Sequence, residues 1–396
     1  MPGHDTLALP SVPPPAPATH PIRDALLVAL LLLPLVAAGI GAYLSRDLAN
    51  LPLEKRRAHA WPAATLHGPV RDLTSAFERA FGDRFGGRDL LARVHHAIKA
   101  KGFGVSPVST VMLGRDGWLF FLGEDGHALD RHFRGVLPFE GSVEDMVREL
   151  ARRHEALAAR GIAYIVVVVP DKFSVYPEHL PAWVTRTRTT PLDRVAAAMR
   201  EDGRVRFLDL RPSLLASKDH RQLYYRTDSH WNYFGAAVGY EVLMREVQRA
   251  LPGRLREIAP VAWPPYTAGV DTYSGDLASL LGVPRLFRED DAAPFWKVLA
   301  DAPKRCAKRV DLESSAAGPG RETYVCAREG LPVAMIWSDS MAIPLIPLVS
   351  ENFRRSSWIS SRQIDLALVE RERPDIVIDQ LVERSLAQLP HNPIAR

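Results

Sequence analysis

The run of eight residues from Ile162 to Val169 constrains the fold of this chain more than any other segment. Its side chains are mostly β-branched and do not alternate with polar residues. A strand that has one face in water alternates apolar and polar side chains, whereas a strand covered on both faces does not. Pro170 ends the run, because proline cannot donate to a central ladder of hydrogen bonds. The run therefore predicts a central strand in a sheet that is covered on both faces.

Helical and strand patterns alternate through the rest of the chain. Apolar residues recur at helical spacing from Val143 to Leu157, after a capping box formed by Ser142 and Asp145, and Gly161 is a natural stop. The later segments are a strand at 206–210, a helix at 233–251, a strand at 333–337, a helix at 343–353, a strand at 374–379 and a last helix. This order predicts an α/β fold with a parallel sheet flanked by helices, in which ligands bind at the carboxyl ends of the strands.

The N-terminal region has a different composition. Seven prolines fall in the first 22 residues, so we predict a disordered tail over residues 1–24. Residues 25–44 carry no charge, and a helix of this length, at about 1.5 Å per residue, matches a bilayer core of roughly 30 Å. They predict one N-terminal transmembrane helix, with a buried core helix and a cleaved secretory signal as alternatives. Residues 45–110 then form a linker and an N-terminal helical segment, and residues 111–396 form one α/β domain.

Composition excludes several classes of function. The chain has 50 Lys and Arg against 46 Asp and Glu, and a formal net charge of +4 gives no case for nucleic-acid binding. Two cysteines exclude a disulfide-dense scaffold and a four-cysteine zinc site. If Cys306 and Cys326 are bridged, they suit an oxidising compartment such as the bacterial periplasm. Two unrelated buried thiols are the alternative.

The first stretch with candidate catalytic residues is Tyr225–Asn232, directly ahead of the predicted helix at 233–251. Asp228 and His230 are two residues apart, so in extended backbone their side chains project to the same side. A carboxylate beside an imidazole fixes its tautomer and stabilises its protonated form, as a general base requires. The alternative is a helix entrance in which Asp228 or Asn232 only caps the chain.

The second stretch, Ile336–Met341, lies where a predicted apolar strand meets a predicted helix. A serine at such a junction sits on a tight turn, close to backbone N–H groups that can bind an oxyanion. The alternative is an ordinary loop in which Ser and Asp cap the helix.

Together the two stretches supply serine, imidazole and carboxylate, the three groups used in nucleophilic acyl transfer. A metal site formed by Asp228, His230 and Asp339 is a rival interpretation. The chain has no H-E-x-x-H, no C-x-x-C, no P-loop and no G-x-G-x-x-G motif. The sequence therefore favours neither a metal nor a bound cofactor.

Several short motifs occur in a fixed order along the chain. They are Phe81–Leu90, Leu113–Phe120, Val169–Lys172, Tyr176–Pro181, Asp228-Ser229-His230-Trp231 and Ser338-Asp339-Ser340. With these motifs, the chain resembles over roughly residues 50–390 the AlgX/AlgJ family of alginate-type exopolysaccharide O-acetyltransferases, whose domain is SGNH-hydrolase-like. The resemblance implies that Ser340 is the nucleophile, that His230 is the base and that Asp228 orients it. Ser338 stands where the family has glycine, which implies a slightly altered oxyanion hole.

The resemblance also implies a cellular setting. It implies a single-pass protein of the bacterial inner membrane, with its catalytic domain in the periplasm. A membrane-bound O-acyltransferase would relay the acetyl donor, and a polysaccharide would accept the acetyl group by way of an acetyl-serine intermediate. Two alternatives stay open: a periplasmic carbohydrate acetyl-esterase with the same three residues, and a non-catalytic export or scaffold protein in which Ser338 marks a decayed site. No nucleic-acid partner is expected.

Overall fold

A computed structural model of the chain describes residues 21–45, 47, 50–51, 56–62, 70–85, 88–134, 143–184, 189–261, 272–290, 306–310 and 320–395. The chain divides into two compact units, the first ending at Val94 and the second comprising His95–Arg396. Most of the predicted disordered tail, residues 1–20, lies outside the described residues. The second unit contains both stretches with candidate catalytic residues, Tyr225–Asn232 and Ile336–Met341.

The first unit contains helices and one short strand pair. Its elements are α1 (Pro21–Leu44), β1 (Asn50–Leu51), β2 (Arg56–Arg57), α2 (Val70–Arg84) and most of α3 (Arg88–Ala97). Helix α1 includes the whole uncharged stretch at 25–44. Within the described parts of the chain, however, no helix combines the length and the apolarity that crossing a membrane requires. The prediction of a transmembrane anchor at 25–44 is therefore not supported.

The second unit alternates strands and helices. Its strands are β3 (Val111–Leu113), β4 (Leu119–Phe121), β5 (Ala163–Val169), β6 (Arg206–Asp209), β7 (Lys308–Val310), β8 (Arg321–Val325), β9 (Val333–Trp337), β10 (Arg355–Ile359) and β11 (Ile376–Val382). Its helices are α4 (Ala128–Arg134), α5 (Val143–Ala158), α6 (Lys172–Val175), α7 (Pro191–Asp202), α8 (Arg211–Ser217), α9 (Tyr233–Ala250), α10 (Asp276–Leu280), α11 (Ile346–Val349) and α12 (Leu366–Glu372). The predicted helices at 143–157 and 233–251 are confirmed, as are the predicted strands at 162–169, 206–210 and 333–337, each to within one residue at its ends.

Two predicted helices have a different form. The segment at 343–353 contains only the short α11, followed by a 3₁₀ turn at Ser350–Asn352, because Pro344 and Pro347 interrupt a longer helix. The predicted last helix is a 3₁₀ segment at Glu383–His391, and the strand before it, β11, extends three residues beyond its predicted end at 379.

Within the described part of the chain, seven strands form one sheet in the order β6-β5-β11-β9-β10-β8-β7. The first five strands are parallel to one another. At one edge, β8 is antiparallel to both of its neighbours, β10 and β7. The sheet is therefore mixed, and the prediction of a wholly parallel sheet is wrong at that edge. Edge strand β7, Lys308-Arg309-Val310, is largely exposed, so it needs no apolar pattern and shows none in the sequence.

Both faces of the sheet are covered, as the run at 162–169 predicts. Ile165, Val167 and Val169 of β5 face a core that includes α9 and α11. Tyr164 and Val166, with Val168, face a second core that includes α5, α7 and α12. Alternate residues of one strand thus supply two apolar cores, which is why the sequence of β5 shows no polar alternation.

Three parallel strands present their carboxyl ends at one edge. Strand β9 leads into Ser338–Ser340, β5 leads into Asp171–Lys172, and β11 pairs with both of these strands. The antiparallel hairpin of β3 and β4 packs with α10 in a third, smaller core. Cys306 and Cys326 form a disulfide, with their Cα atoms 4.9 Å apart. The edge formed by β5, β9 and β11 is where the candidate site lies.

Candidate active site

The turn after β9 is held in place by Asp339. Its carboxylate accepts hydrogen bonds from the backbone N–H of Met341 at 2.9 Å and of Val382 at 2.7 Å. The side chains of Gln380 and Arg362 also donate to it, at 3.0 and 3.1 Å. Asp339 therefore caps the 3₁₀ turn at Ser340–Ala342 and fastens it to β11. Asp339 thus has the capping role of the loop interpretation, and it leaves the neighbouring Ser340 exposed.

Ser338 occupies its position without backbone strain. Among the described residues other than glycine, positive φ angles occur at Asp116 and Arg373, and Ser338 is not one of them. Its N–H donates to the carbonyl of Ile359 at 2.9 Å, as a continuation of the strand pairing. The turn therefore does not depend on the left-handed conformation that glycine favours.

The histidine stretch forms a tight loop closed by an isolated bridge between Tyr224 and Trp231. Asn232 caps α9, since its side-chain oxygen accepts from the N–H groups of Phe234 and Gly235 at 3.0 and 3.1 Å. The buried Trp231 donates its indole N–H to the carbonyl of Met341 at 2.8 Å. Trp231 thus fixes the loop against the serine turn, and the capping role belongs to Asn232 rather than to Asp228.

The structure brings the three predicted site residues together. The Oγ atom of Ser340 lies 2.9 Å from Nε2 of His230. On the other side of the ring, Nδ1 of His230 lies 2.7 Å from Oδ1 of Asp228. The same Oδ1 accepts from the backbone N–H of His230 at 3.0 Å, which fixes the angle of the carboxylate. A hydroxyl, an imidazole and a carboxylate in this chain can move a proton from the serine to Nε2.

Electrostatics support this direction of proton transfer. Burial alone would raise the pKa of Asp228, but its hydrogen bond to His230 and the charge of that ring hold the pKa well below its ordinary value. Burial lowers the pKa of His230, whereas the hydrogen bond and the charge of Asp228 act more strongly, so the net shift is upward. Asp228 therefore remains a carboxylate, and His230 is a stronger base than an isolated imidazole.

Comparison with known proteins identifies the family. Residues 111–309, half of the chain, match the family described as SGNH hydrolase-like domain, acetyltransferase AlgX. The chain belongs to this family. The matched range includes Asp228 and His230, and Ser340 follows it. The resemblance predicted from the short motifs is confirmed.

Similar proteins include two named "Probable alginate O-acetylase AlgJ". The one from Pseudomonas aeruginosa is 29% identical over 213 residues, which are 53% of this chain and 48% of that protein. The one from Pseudomonas putida is 26% identical over 234 residues, 59% of this chain and 55% of that protein. The chain thus spans about half the length of the curated relatives it matches. The structure of Bacillus cereus PatB1 with a sulfonyl adduct has 13% sequence identity and a TM-score of 0.50, and the alignment covers 72% of this chain and 98% of that one, which shows a shared fold.

Two further residues of this AlgX-family site were missed by sequence reasoning. Tyr273 donates its hydroxyl to Oδ2 of Asp228 at 2.6 Å. The backbone N–H of Asp276 donates to the same oxygen at 2.9 Å. Gly275-Asp276 is a Gly-Asp pair that is not followed by serine, a pattern typical of a turn, and no pattern in the sequence singles out Tyr273.

Lys172, in the Val169–Lys172 motif, stabilises the loop that carries His230 (Tyr225–Asn232) by hydrogen bonds to its backbone. Its buried ammonium donates to the backbone carbonyls of Tyr225, Arg226 and Asp228 at 2.9, 3.0 and 2.6 Å. Burial lowers its pKa to about 8, although the charges of Glu289, Asp228 and Asp276 act against that shift. Lys172 therefore holds three carbonyl groups of the loop backbone with one titratable group.

The rival metal site of Asp228, His230 and Asp339 does not assemble in the structure. Asp339 does not join the other two residues, because its carboxylate binds the serine turn and β11. Ligand-type atoms of Asp228, His230 and Asp276 do lie within 4.8 Å of one another. Each carboxylate oxygen in that group already accepts a hydrogen bond from a protein donor, and so the described residues form a hydrogen-bonded network.

Proposed function

We propose that this protein is an O-acetyltransferase that transfers acetyl groups, through an acetyl-serine intermediate, to hydroxyls of a bacterial exopolysaccharide. The observation that carries the proposal is the line of Ser340, His230 and Asp228, with contacts of 2.9 and 2.7 Å. The family adds that an acetyltransferase domain is the setting in which this line occurs.

In the first half-reaction, Nε2 of His230 takes the proton of Ser340 while Oγ attacks the carbonyl carbon of an acetyl donor. The tetrahedral intermediate places negative charge on the former carbonyl oxygen. Ser340 is the first residue of a helical turn, so its own backbone N–H has no intrahelical acceptor and can donate to that oxygen. Collapse of the intermediate expels the donor group, which receives the proton from His230, and leaves acetyl-Ser340.

In the second half-reaction, a sugar hydroxyl gives its proton to Nε2 and attacks the carbonyl carbon of the acetyl-serine. The bond between that carbon and Oγ then breaks, and Oγ of Ser340 takes the proton back from Nε2. A cavity of about 490 Å³ adjoins the histidine loop, and its lining is polar and includes Arg221, Arg226 and Asn232. Its lining includes none of Ser340, His230 and Asp228, so we propose it for a sugar of the polymer next to the one that is acetylated. The alternative, a carbohydrate acetyl-esterase, uses the same three residues and lets water make the second attack.

The setting of the reaction is part of the proposal. The relatives' names point to alginate, and alginate or a similar polysaccharide is the acceptor we propose. A membrane-bound O-acyltransferase would relay the acetyl group to Ser340. The disulfide between Cys306 and Cys326 supports an oxidising compartment, and the periplasm is the location we propose.

A decayed site is the other alternative, suggested by serine in place of glycine at 338. The contacts speak against it, because Ser338 is unstrained and the line from Ser340 to Asp228 is unbroken. The substitution Ser338→Gly, which restores the family residue, is therefore expected to change turnover only slightly.

The experiment uses the full chain with a chromogenic acetyl ester, in the presence and absence of alginate oligosaccharides. We expect acetylated oligosaccharide, and we expect Ser340→Ala to lower turnover by on the order of 10⁴-fold or more, as removal of a catalytic serine does elsewhere. Ser338→Ala, which removes a hydroxyl two residues earlier in the chain, is the matched control. Free acetate without acetylated sugar would favour the esterase, and turnover that survives Ser340→Ala would refute the assigned nucleophile.

A further inference from the structure

Asp276 places a second carboxylate beside the imidazole of His230. It lies at the first residue of α10, 46 residues after His230 in the chain. Its Oδ1 accepts from the backbone N–H of Ser229 at 2.7 Å, and its Oδ2 accepts from the hydroxyl of Ser229 at 2.6 Å. Ser229 is the middle residue of the Asp228–His230 stretch, and Asp276 holds it by both its backbone and its side chain.

Ser229 links that carboxylate to the ring. Its Oγ lies 3.2 Å from Nδ1 of His230, and Oδ2 of Asp276 lies 3.7 Å from the same Nδ1. A hydroxyl has one proton, and here the shorter contact to the carboxylate takes it. Oγ therefore faces the ring with a lone pair, which can accept a hydrogen bond from Nδ1–H but cannot donate one. The contact favours the tautomer with hydrogen on Nδ1, the one that leaves Nε2 free to receive the proton of Ser340.

A glycine at position 275 allows the segment that carries Asp276 to approach Asp228 closely. A Cβ atom on Gly275 would lie 2.5 Å from Cβ of Asp228 and 2.6 Å from its backbone N, distances that no side chain tolerates. The N–H of Gly275 donates to Oγ1 of Thr227 at 3.0 Å. The glycine of this Gly-Asp pair is therefore required by close approach, and the approach is what carries Asp276 to Ser229.

We propose that Asp276 is a positioning residue of the acetyl-transfer site: through Ser229 it selects the tautomer of His230 and adds a second negative charge behind the ring. This inference rests on the proposed roles of Ser340 and His230. It goes beyond them because it assigns work to a carboxylate outside the line of three residues.

The charges that face the ring define the expected pH response. Asp228 and Asp276 raise the pKa of His230, while burial and the guanidinium of Arg384 lower it. Lys172, which is held on the carbonyl of Asp228, is a further cation behind the loop. Removal of the Asp276 charge should therefore lower the pKa of the imidazole and move the acidic limb of the rate profile to lower pH. Weaker selection of the tautomer should at the same time lower the maximal rate.

The test combines NMR titration of the His230 imidazole with the pH dependence of turnover on a chromogenic acetyl ester. For Asp276→Asn we expect a lower imidazole pKa, an acidic limb at lower pH, and a loss of about tenfold in maximal turnover, as for other residues that orient a reactive imidazole. Asp202→Asn on α7 is the matched control, and it should move none of these quantities.

Ser229→Ala provides a second variant that keeps both charges. We expect it to lower turnover while it leaves the imidazole pKa close to that of the parent protein. Because NMR reports the ring directly, an unshifted pKa in Asp276→Asn would overturn the inference even in a protein with no acetyltransferase activity. If Asp276→Asn does not fold, undiminished turnover in Ser229→Ala would overturn it instead.

Discussion

Two buried carboxylates in this protein have similar neighbours. Asp228 accepts a hydrogen bond from the hydroxyl of Tyr273 at 2.6 Å and contacts His230 at 2.7 Å. Asp379 of β11 accepts from the hydroxyl of Tyr164 at 2.9 Å and from Arg153 at 2.6 Å. Each carboxylate therefore accepts a hydrogen bond from one tyrosine hydroxyl and contacts one nitrogen-containing side chain, His230 or Arg153.

The partners differ in titration and in exposure. The Arg153 side chain is 0% exposed, and its guanidinium is charged at every ordinary pH. The His230 side chain is 23% exposed, and its imidazole can gain and lose a proton. A sealed pair with a permanent cation can only hold the fold together. The same carboxylate beside a titratable ring at the sheet edge can support proton transfer. The two pairs thus differ in the partner of the carboxylate and not in the carboxylate itself. A titratable, partly exposed partner suits proton transfer, whereas a buried permanent cation suits a structural role.

The largest expected effect is the loss of the carboxylate behind the histidine. In Asp228→Asn, the amide can no longer select the required tautomer of His230, and we expect kcat on the chromogenic ester to fall by about 10⁴-fold. Asp379→Asn is the matched variant, and it should leave kcat of the folded protein within a factor of about two while it lowers stability. A fall of less than tenfold in Asp228→Asn would show that the two carboxylates are not functionally distinct.

The second effect concerns stability. Arg153→Met leaves the buried carboxylate of Asp379 without its cation, and it leaves Glu149 with only the exposed Arg152. Oδ1 of Asp379 is buried and already has no hydrogen-bond partner among the described residues, so the cluster has little capacity to compensate. We expect the free energy of unfolding to fall by about 3–5 kcal/mol, measured by urea denaturation. A fall below about 1 kcal/mol would mean that the pair is not the structural counterpart that its burial suggests.

The sequence predicts the two carboxylates to different degrees. Asp228 stands two residues from His230, so a local pattern reveals it. Asp379 also lies in a predicted strand, but its partner Arg153 comes 226 residues earlier in the chain. Arg153 lies in α5, where the apolar residues are what define the buried face in the sequence. Nothing in the pattern indicates that an arginine belongs to the core.

The same contrast explains what was predicted of the fold and of the site. Strands β5 and β9 are continuous apolar runs, and their bounds follow from that run alone. Tyr273 and Asp276 reach Asp228 from 45 and 48 residues away, by a close approach that only the folded chain displays. The antiparallel strands β7 and β8 were missed because β7 is largely exposed and β8 only half-buried, so neither requires an apolar run.

The smallest expected effect concerns Lys172, which shares features of both regions. It is buried like Arg153, yet it supports the loop of Asp228, and burial lowers its pKa to about 8. Loss of its proton removes a charged donor from the carbonyls that it holds. Each pH unit above the pKa lowers the ammonium fraction about tenfold, so turnover should fall towards roughly a tenth at about pH 9.

The expected change in stability has the opposite sign. Since the folded-state pKa lies below the ordinary value of 10.5, the unfolded chain binds more protons than the folded chain between about pH 8 and 10.5. This titration therefore makes the free energy of unfolding rise with pH in that window, and an activity loss there cannot be attributed to Lys172 weakening the fold. In Lys172→Met, turnover should be low throughout and should lack the alkaline limb, whereas Lys218→Met, at a more exposed lysine, should retain it. An unchanged limb near pH 8 in Lys172→Met would place the titrating group elsewhere and assign Lys172 to the structural side of the comparison.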